Sequence, residues 1–155
     1  MNNKYFTPDI EDIRVGYEYE VDMFSNGWEK EIFGDSPSWT QWYEKDGFTE
    51  ALSSKRIRTP YLTKEQIEAE GWKLSKYSML FADFSKEDFQ EDYYAYLFTK
   101  DNYTLVYNTE NKILSIVITD PSLGEDSDLG KIPIFRGECK SINEFRTIIK
   151  LLNIK

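Results

Sequence analysis

The chain has 155 residues, no histidine and one cysteine, and its 28 acidic and 19 basic side chains give a formal charge of −9. Its length fits one domain with a substantial core, and 40% hydrophobic residues exclude a disordered chain. The charge disfavours nucleic acid and anionic membranes as partners, and the lack of histidine excludes hydrolase sites that need imidazole as a base or zinc ligand. We therefore predict a single domain over residues 1–155 that acts on neither nucleic acid nor membrane.

The first predicted element is a strand over residues 13–23, where apolar and polar residues alternate strictly. A single helical turn over residues 7–12 precedes it, and a turn at 25–27 with a returning strand over 28–33 completes a β-hairpin. The apolar face of the first strand carries Ile13, Val15, Tyr17, Tyr19, Val21 and Met23. The opposite face carries Glu18, Glu20 and Asp22. We interpret this acidic face as a solvated surface, with a carboxylate site as the alternative.

Residues 34–60 are predicted to be irregular, because glycine and proline punctuate them and no hydrophobic period lasts. Their large aromatic side chains predict either a segment folded onto the core or the wall of a binding groove. These side chains are Trp39, Trp42, Tyr43 and Phe48. The segment ends in a basic cluster over residues 55–58, where Arg56 and Arg58 suit a phosphate or carboxylate ligand. The preferred interpretation of this cluster is charge balance against carboxylates elsewhere, or a solvated loop.

The next part of the chain predicts a short helix and then a series of strands. The helix covers residues 63–71, with a capping box at its start and a glycine at its end. A strand follows from Trp72, and Trp72 and Leu74 are predicted to dock towards the core. Three closely spaced strands then predict a β-meander, over residues 93–99, 104–108 and 113–119.

The acidic loop 123–128 is interpreted as solvated, because it lacks the ligand pattern of an EF-hand. The last strand, over residues 131–137, is placed at a sheet edge because Pro133 has no N–H to donate. A capping box formed by Ser141 and Glu144 begins the C-terminal helix. Its apolar stripe should lie on a sheet face and consists of Ile142, Phe145, Ile148, Ile149 and Leu152.

Together these elements predict an α+β fold. It is a mainly antiparallel sheet of about seven strands, with a short central helix and a C-terminal helix packed on one face. No glycine-rich phosphate loop occurs and the acidic loop lacks the EF-hand ligand pattern, so neither a cofactor nor a metal ion is predicted.

Three stretches of the chain carry a resemblance. They are Tyr5–Glu11 with its continuation Val15–Glu20, Tyr61–Ile67 ending in Gly71–Leu74, and Phe135–Gly137 with Asn143–Phe145 and Leu151–Leu152. The chain resembles short proteins without an assigned function that are encoded by Bacteroidetes and by their phages and mobile elements. The resemblance implies a genomic setting and no particular activity, so no site residue is carried over from it. The sequence has no signal peptide and only one cysteine, Cys139, which predicts a reducing compartment. Combined with the resemblance, this predicts a location in the cytoplasm of a bacterial host, or association with a virion.

Three functions are compatible with the sequence. The first is a non-enzymatic accessory protein that docks a protein partner through the aromatic segment and the acidic strand face. The second is a binder of an anionic nucleotide, with Arg56 and Arg58 on the phosphate and Trp39 or Trp42 on the base. The third is a carboxylate hydrolase working through Glu18 and Glu20. No catalytic residue is assigned, and the first function is favoured.

Overall fold

The computed structural model describes residues 4–22, 27–34, 47–75, 95–119 and 131–155. It confirms the α+β class, since two antiparallel sheets are combined with short helices. The chain divides into two compact units, Met1–Tyr61 with Ser141–Arg146, and Leu62–Lys140 with Thr147–Lys155. The prediction of a single domain stays a prediction. Within the described ranges, no helix is both long enough and apolar enough to span a membrane.

The first unit contains a four-stranded sheet with the order β1-β4-β2-β3. Its strands are β1 (Tyr5–Phe6), β2 (Glu18–Val21), β3 (Glu29–Ile32) and β4 (Ile57–Pro60). The antiparallel pairing of β2 with β3 confirms the predicted hairpin. Its inner face packs on helix α1 (Gly47–Ser53) in one apolar cluster, formed by Tyr17, Tyr19, Val21, Phe48, Ala51, Leu52 and Ile57.

The predicted strand over residues 13–23 was wrong in its first half. Residues 10–12 form a short 3-10 helix, as predicted for this stretch, and the chain then makes a tight turn before β2 begins. Tyr17 donates its backbone N–H to the carbonyl of Arg14 at 2.9 Å, and Gly16 takes φ +89° at the third turn position. This geometry suits a type II turn. Val15 is therefore 81% exposed instead of lying on the core face.

The same glycine forms a β-bulge against the end of β3. Gly16 donates its N–H to the carbonyl of Phe33 at 2.7 Å, and Phe33 donates to the carbonyl of Tyr17 at 2.8 Å. Two residues thus oppose one, with a glycine of positive φ in first place, as in a G1 bulge. Because the bulge ends the pairing with β3, Ile13 and Val15 lie outside the strand although they continue its apolar alternation.

The prediction that residues 34–60 are irregular was also wrong over its final part. Helix α1 and strand β4 lie there, and Phe48 belongs to the apolar cluster of the first unit. The ring of Phe48 contacts the rings of Tyr19 and Phe33 edge to face, with centroids 6.0 and 5.5 Å apart. For Phe48 the core interpretation is therefore correct. Trp39, Trp42 and Tyr43 lie outside the described residues.

The second unit contains a five-stranded antiparallel sheet in sequential order, which confirms the meander. Among the described strands the last one lies at an edge, as predicted. Its strands are β5 (Lys73–Leu74), β6 (Ala95–Lys100), β7 (Tyr103–Asn108), β8 (Ile113–Thr119) and β9 (Lys131–Glu138). Trp72 is buried as predicted, but Leu74 is 39% exposed and does not dock on the core. The predicted extension of β5 towards residue 81 and the acidic loop 123–128 lie outside the described residues.

Two helices begin with the predicted capping residues. In α2 (Lys64–Ala69), Thr63 and Gln66 form the full capping box, and Gly71 takes φ +85° just after the helix. In α3 (Ile142–Leu151), the Ser141 hydroxyl accepts the N–H of Glu144 at 3.3 Å. The predicted apolar stripe of α3 is buried at Ile142, Phe145 and Ile148.

Candidate functional site

The outer face of the first sheet carries the chemistry-bearing side chains of this unit. Side chains alternate between the faces of a strand, and the inner positions of β2 and β4 are buried. The register pairs Glu20 with Lys30 on one side and with Arg58 on the other, so these three residues share the outer face. By the same alternation this outer face consists of Tyr5, Glu18, Glu20, Trp28, Lys30, Ile32, Arg58 and Pro60.

At its centre Arg58 forms an ion pair with Glu20. Its Nε donates to Oε2 of Glu20 at 2.8 Å, and its Nη2 lies 2.7 Å from the same oxygen. The side chain of Arg58 is 24% exposed and that of Glu20 is 11% exposed, so the pair is largely shielded from water. Removing either partner would therefore leave a poorly solvated charge on the other.

Two aromatic rings cover the guanidinium group. Its Cζ lies 3.6 Å from the ring centroid of Tyr5 and 3.8 Å from that of Trp28. Two rings cannot occupy the same side of one group at these distances, so Arg58 lies between them. Each contact is a cation–π interaction, which is stronger where water is excluded. The ion pair and the two rings thus form one rigid cluster, the Arg58 cluster, made of Tyr5, Glu20, Trp28 and Arg58.

Glu18 lies at the end of this face and is held by the first turns of α3. Asn143 accepts the backbone N–H of Glu18 at 2.8 Å and donates Nδ2 to its carbonyl at 2.9 Å. Continuing the register of β2 with β4 would place Pro60 opposite Glu18, and proline has no N–H to donate. The amide of Asn143 supplies both partners that this position of the ladder needs. The carboxylate of Glu18 is in turn paired with Arg146.

The structure separates some of the predicted site residues and joins others. Glu20 and Arg58 are brought into direct contact, although neither was predicted to meet the other. Arg56 lies apart from this pair and forms a 3.5 Å ion pair with Glu50. Glu18 and Glu20 share the outer face, as predicted, and each is bound to a different arginine. The interpretation of this face as solvated was wrong for Glu20, which is only 8% exposed because it is covered together with Arg58.

These pairings engage both carboxylates of the outer face. Glu18 is bound to Arg146 and Glu20 to Arg58, so neither carboxylate can take a ligand without displacing an arginine. Nor do any three described residues of the types that ligate metals lie together.

Sequence reasoning missed Tyr5 and Trp28 as members of the site. Trp28 is 38% exposed and Ile32 is 39% exposed, so both present apolar surface to solvent on this face. Trp28 could have been placed on this face from the sequence, because it alternates with Lys30 and Ile32 along the predicted strand and so points to the same side as they do. Tyr5 gave no such signal, since β1 has only two residues.

Comparisons of the chain with models of protein families, with curated proteins and with solved structures found no match.

Proposed function

We propose that this protein is a non-enzymatic accessory protein that docks a protein partner on the outer face of its first sheet. The observation that carries the proposal is the exposure of Trp28 and Ile32 beside the Arg58 cluster. Tryptophan and arginine are the side chains most enriched among residues that dominate binding energy. In keeping with the sequence resemblance, we place the protein in a phage or mobile element of Bacteroidetes.

Preorganisation supports this role. The two rings and Glu20 already hold Arg58, so docking would cost little side-chain entropy. The residues around the apolar anchors are charged, with Lys30 on β3 and the pair of Glu18 with Arg146 at the end of the face. An apolar centre with a charged rim is the usual anatomy of a protein interface.

The nucleotide-binding alternative is weaker for the described arginines. Arg58 already directs its Nε and Nη2 to Glu20, so a phosphate would have to compete with this carboxylate for the same side of the guanidinium group. Arg56 is the more accessible arginine of the basic segment 55–58, since its side chain is 37% exposed and its ion pair with Glu50 is 3.5 Å long. Another anion could therefore replace Glu50 as its partner. A binder that used Arg56 would be insensitive to Trp28.

A photo-crosslinking residue placed at position 30, in bacterial lysate, tests the proposal, because Lys30 is exposed on the same face and its replacement leaves Trp28 in place. The control carries the same residue at position 132, because Ile132 is 55% exposed and lies in the other sheet. A protein captured only from position 30 should then be purified and its affinity for the Trp28→Ala variant measured. We expect a loss of roughly 30-fold, as for a tryptophan that anchors an interface. Equal capture from both positions, or an unchanged affinity, would overturn the proposal.

A further inference from the structure

The free edge of the first sheet belongs to β3. In the order β1-β4-β2-β3, and among the residues that the structure describes, β3 has a neighbour on one side only. Its residues are exposed except for the half-buried Glu31. Such an edge presents backbone N–H and C=O groups to which another strand can be added.

The hydrogen bonds at the bulge determine which backbone groups of β3 point outward. Phe33, directly after β3, exchanges hydrogen bonds of 2.7 and 2.8 Å with the bulge and so occupies a hydrogen-bonded position. These positions alternate along an antiparallel ladder. Glu31 and Glu29 therefore turn their backbone groups towards β2, and Lys30 and Ile32 turn theirs outward.

A second copy of the chain fits this edge poorly. Two β3 strands from two copies could pair antiparallel in two registers that use the outward backbone groups and cover at least three of the four residues. In the first register Lys30 lies opposite Lys30 of the second copy, and Glu29 lies opposite Glu31. In the second register Glu31 lies opposite Glu31 of the second copy. Like charges directly opposite one another destabilise a strand pair.

We propose that β3 accepts an extended basic segment of the partner protein as an added antiparallel strand. Glu29 and Glu31 lie two residues apart and so point to the same face. Within the described part of the chain, the carboxylate of Glu29 is in no ion pair, while that of Glu31 accepts the hydroxyl of Tyr19 at 2.7 Å.

The segment would carry basic residues at two alternate positions, opposite Glu31 and Glu29, and an apolar residue opposite Ile32. The net charge of −9 favours such a partner at long range. This inference rests on the proposed function and names the chemistry of its partner.

A synthetic peptide tests the pattern without knowledge of the partner. The probe is an acetylated and amidated hexapeptide with the sequence threonine-valine-lysine-threonine-lysine-threonine. Its control has the same composition with the two lysines adjacent, which directs them to opposite faces. In an NMR titration we expect the alternating peptide to bind at least about tenfold more tightly and to shift the amides of Lys30 and Ile32 most. Equal affinities, or shifts centred away from β3, would overturn the proposal.

Two variants separate charge from backbone pairing. Glu29→Lys should weaken the alternating peptide and strengthen one with glutamates in place of lysines. Lys30→Pro removes an outward N–H but no bond of the ladder, so it should weaken binding at least about tenfold, or about 1.4 kcal/mol, while the protein stays folded. Unchanged peptide binding in Lys30→Pro would refute strand addition.

The failures of this proposal and of the proposed function are distinguishable. Trp28→Ala should lower peptide affinity by no more than about threefold, because only the terminal threonine of the peptide lies opposite the ring. If the two peptides bind equally while Trp28→Ala still weakens binding of the purified partner, strand addition is refuted and docking on the outer face is retained. The opposite pair of results would retain the edge and refute the face.

Discussion

Replacement of Arg58 by alanine should destabilise the protein more than replacement of Glu20. Arg58→Ala leaves the carboxylate of Glu20 without its partner at a residue that is only 8% exposed, and it also removes two ring contacts. Glu20→Ala leaves a cation that still lies between Tyr5 and Trp28 and retains 24% of its side-chain exposure. The costs should therefore be unequal although the same ion pair is lost.

Breaking a fully buried pair costs about 3–5 kcal/mol, and the partial exposure of Arg58 reduces this. The loss of two partly shielded cation–π contacts adds about 1 kcal/mol. We expect about 3 kcal/mol for Arg58→Ala and about 1.5 kcal/mol for Glu20→Ala. The double variant should reveal a coupling energy of about 1–2 kcal/mol.

Urea denaturation of the four proteins, compared at a common m-value, measures these free energies of unfolding. Lys30→Ala is the matched control, because Lys30 lies on the same face and makes no ion pair with a described residue. A coupling energy below about 0.5 kcal/mol, or an equal cost for both single variants, would refute the reasoning.

Three further outcomes can be measured in the same way. Gly16→Ala should cost about 1–2 kcal/mol, because Gly16 has φ +89° with open space around it, and Gly16→Asn should cost less. Asn143→Ala should cost about 1–3 kcal/mol by leaving the backbone groups of Glu18 unpaired, and no loss would show that water replaces the amide. Burial raises the pKa of Tyr17 above its ordinary 10.0, so the unfolded chain loses this proton first and stability should fall as the pH rises above 10. Tyr17→Phe should show a shallower fall than the parent in denaturation midpoints across this range, and parallel pH profiles would contradict this.

Features with local causes were predictable from the sequence. The capping box at Thr63, the glycine stop at Gly71 and the start of α3 at Ser141 each depend on residues within one or two helical turns. The meander of β6, β7 and β8 followed from alternation and short turns between neighbouring strands.

The candidate site was harder to predict because its contacts are distant in sequence. Glu20 and Arg58 are 38 residues apart, and Glu18 and Asn143 are 125 apart. Alternation also could not mark the turn at Gly16, because Ile13 and Val15 keep the period of a strand that has already ended. Predicting the Arg58 cluster would have required the order of the strands, which no local pattern contains.

Affinity for a purified partner tests the central claim most directly. Trp28→Ala and Ile132→Ala each remove one exposed apolar side chain, from the first and the second sheet respectively. Docking on the outer face of the first sheet predicts at least tenfold weaker binding for Trp28→Ala and no change for Ile132→Ala, with binding measured under conditions in which urea denaturation shows both variants to be fully folded. Equal affinities of the two variants, or a loss confined to Ile132→Ala, would contradict the account.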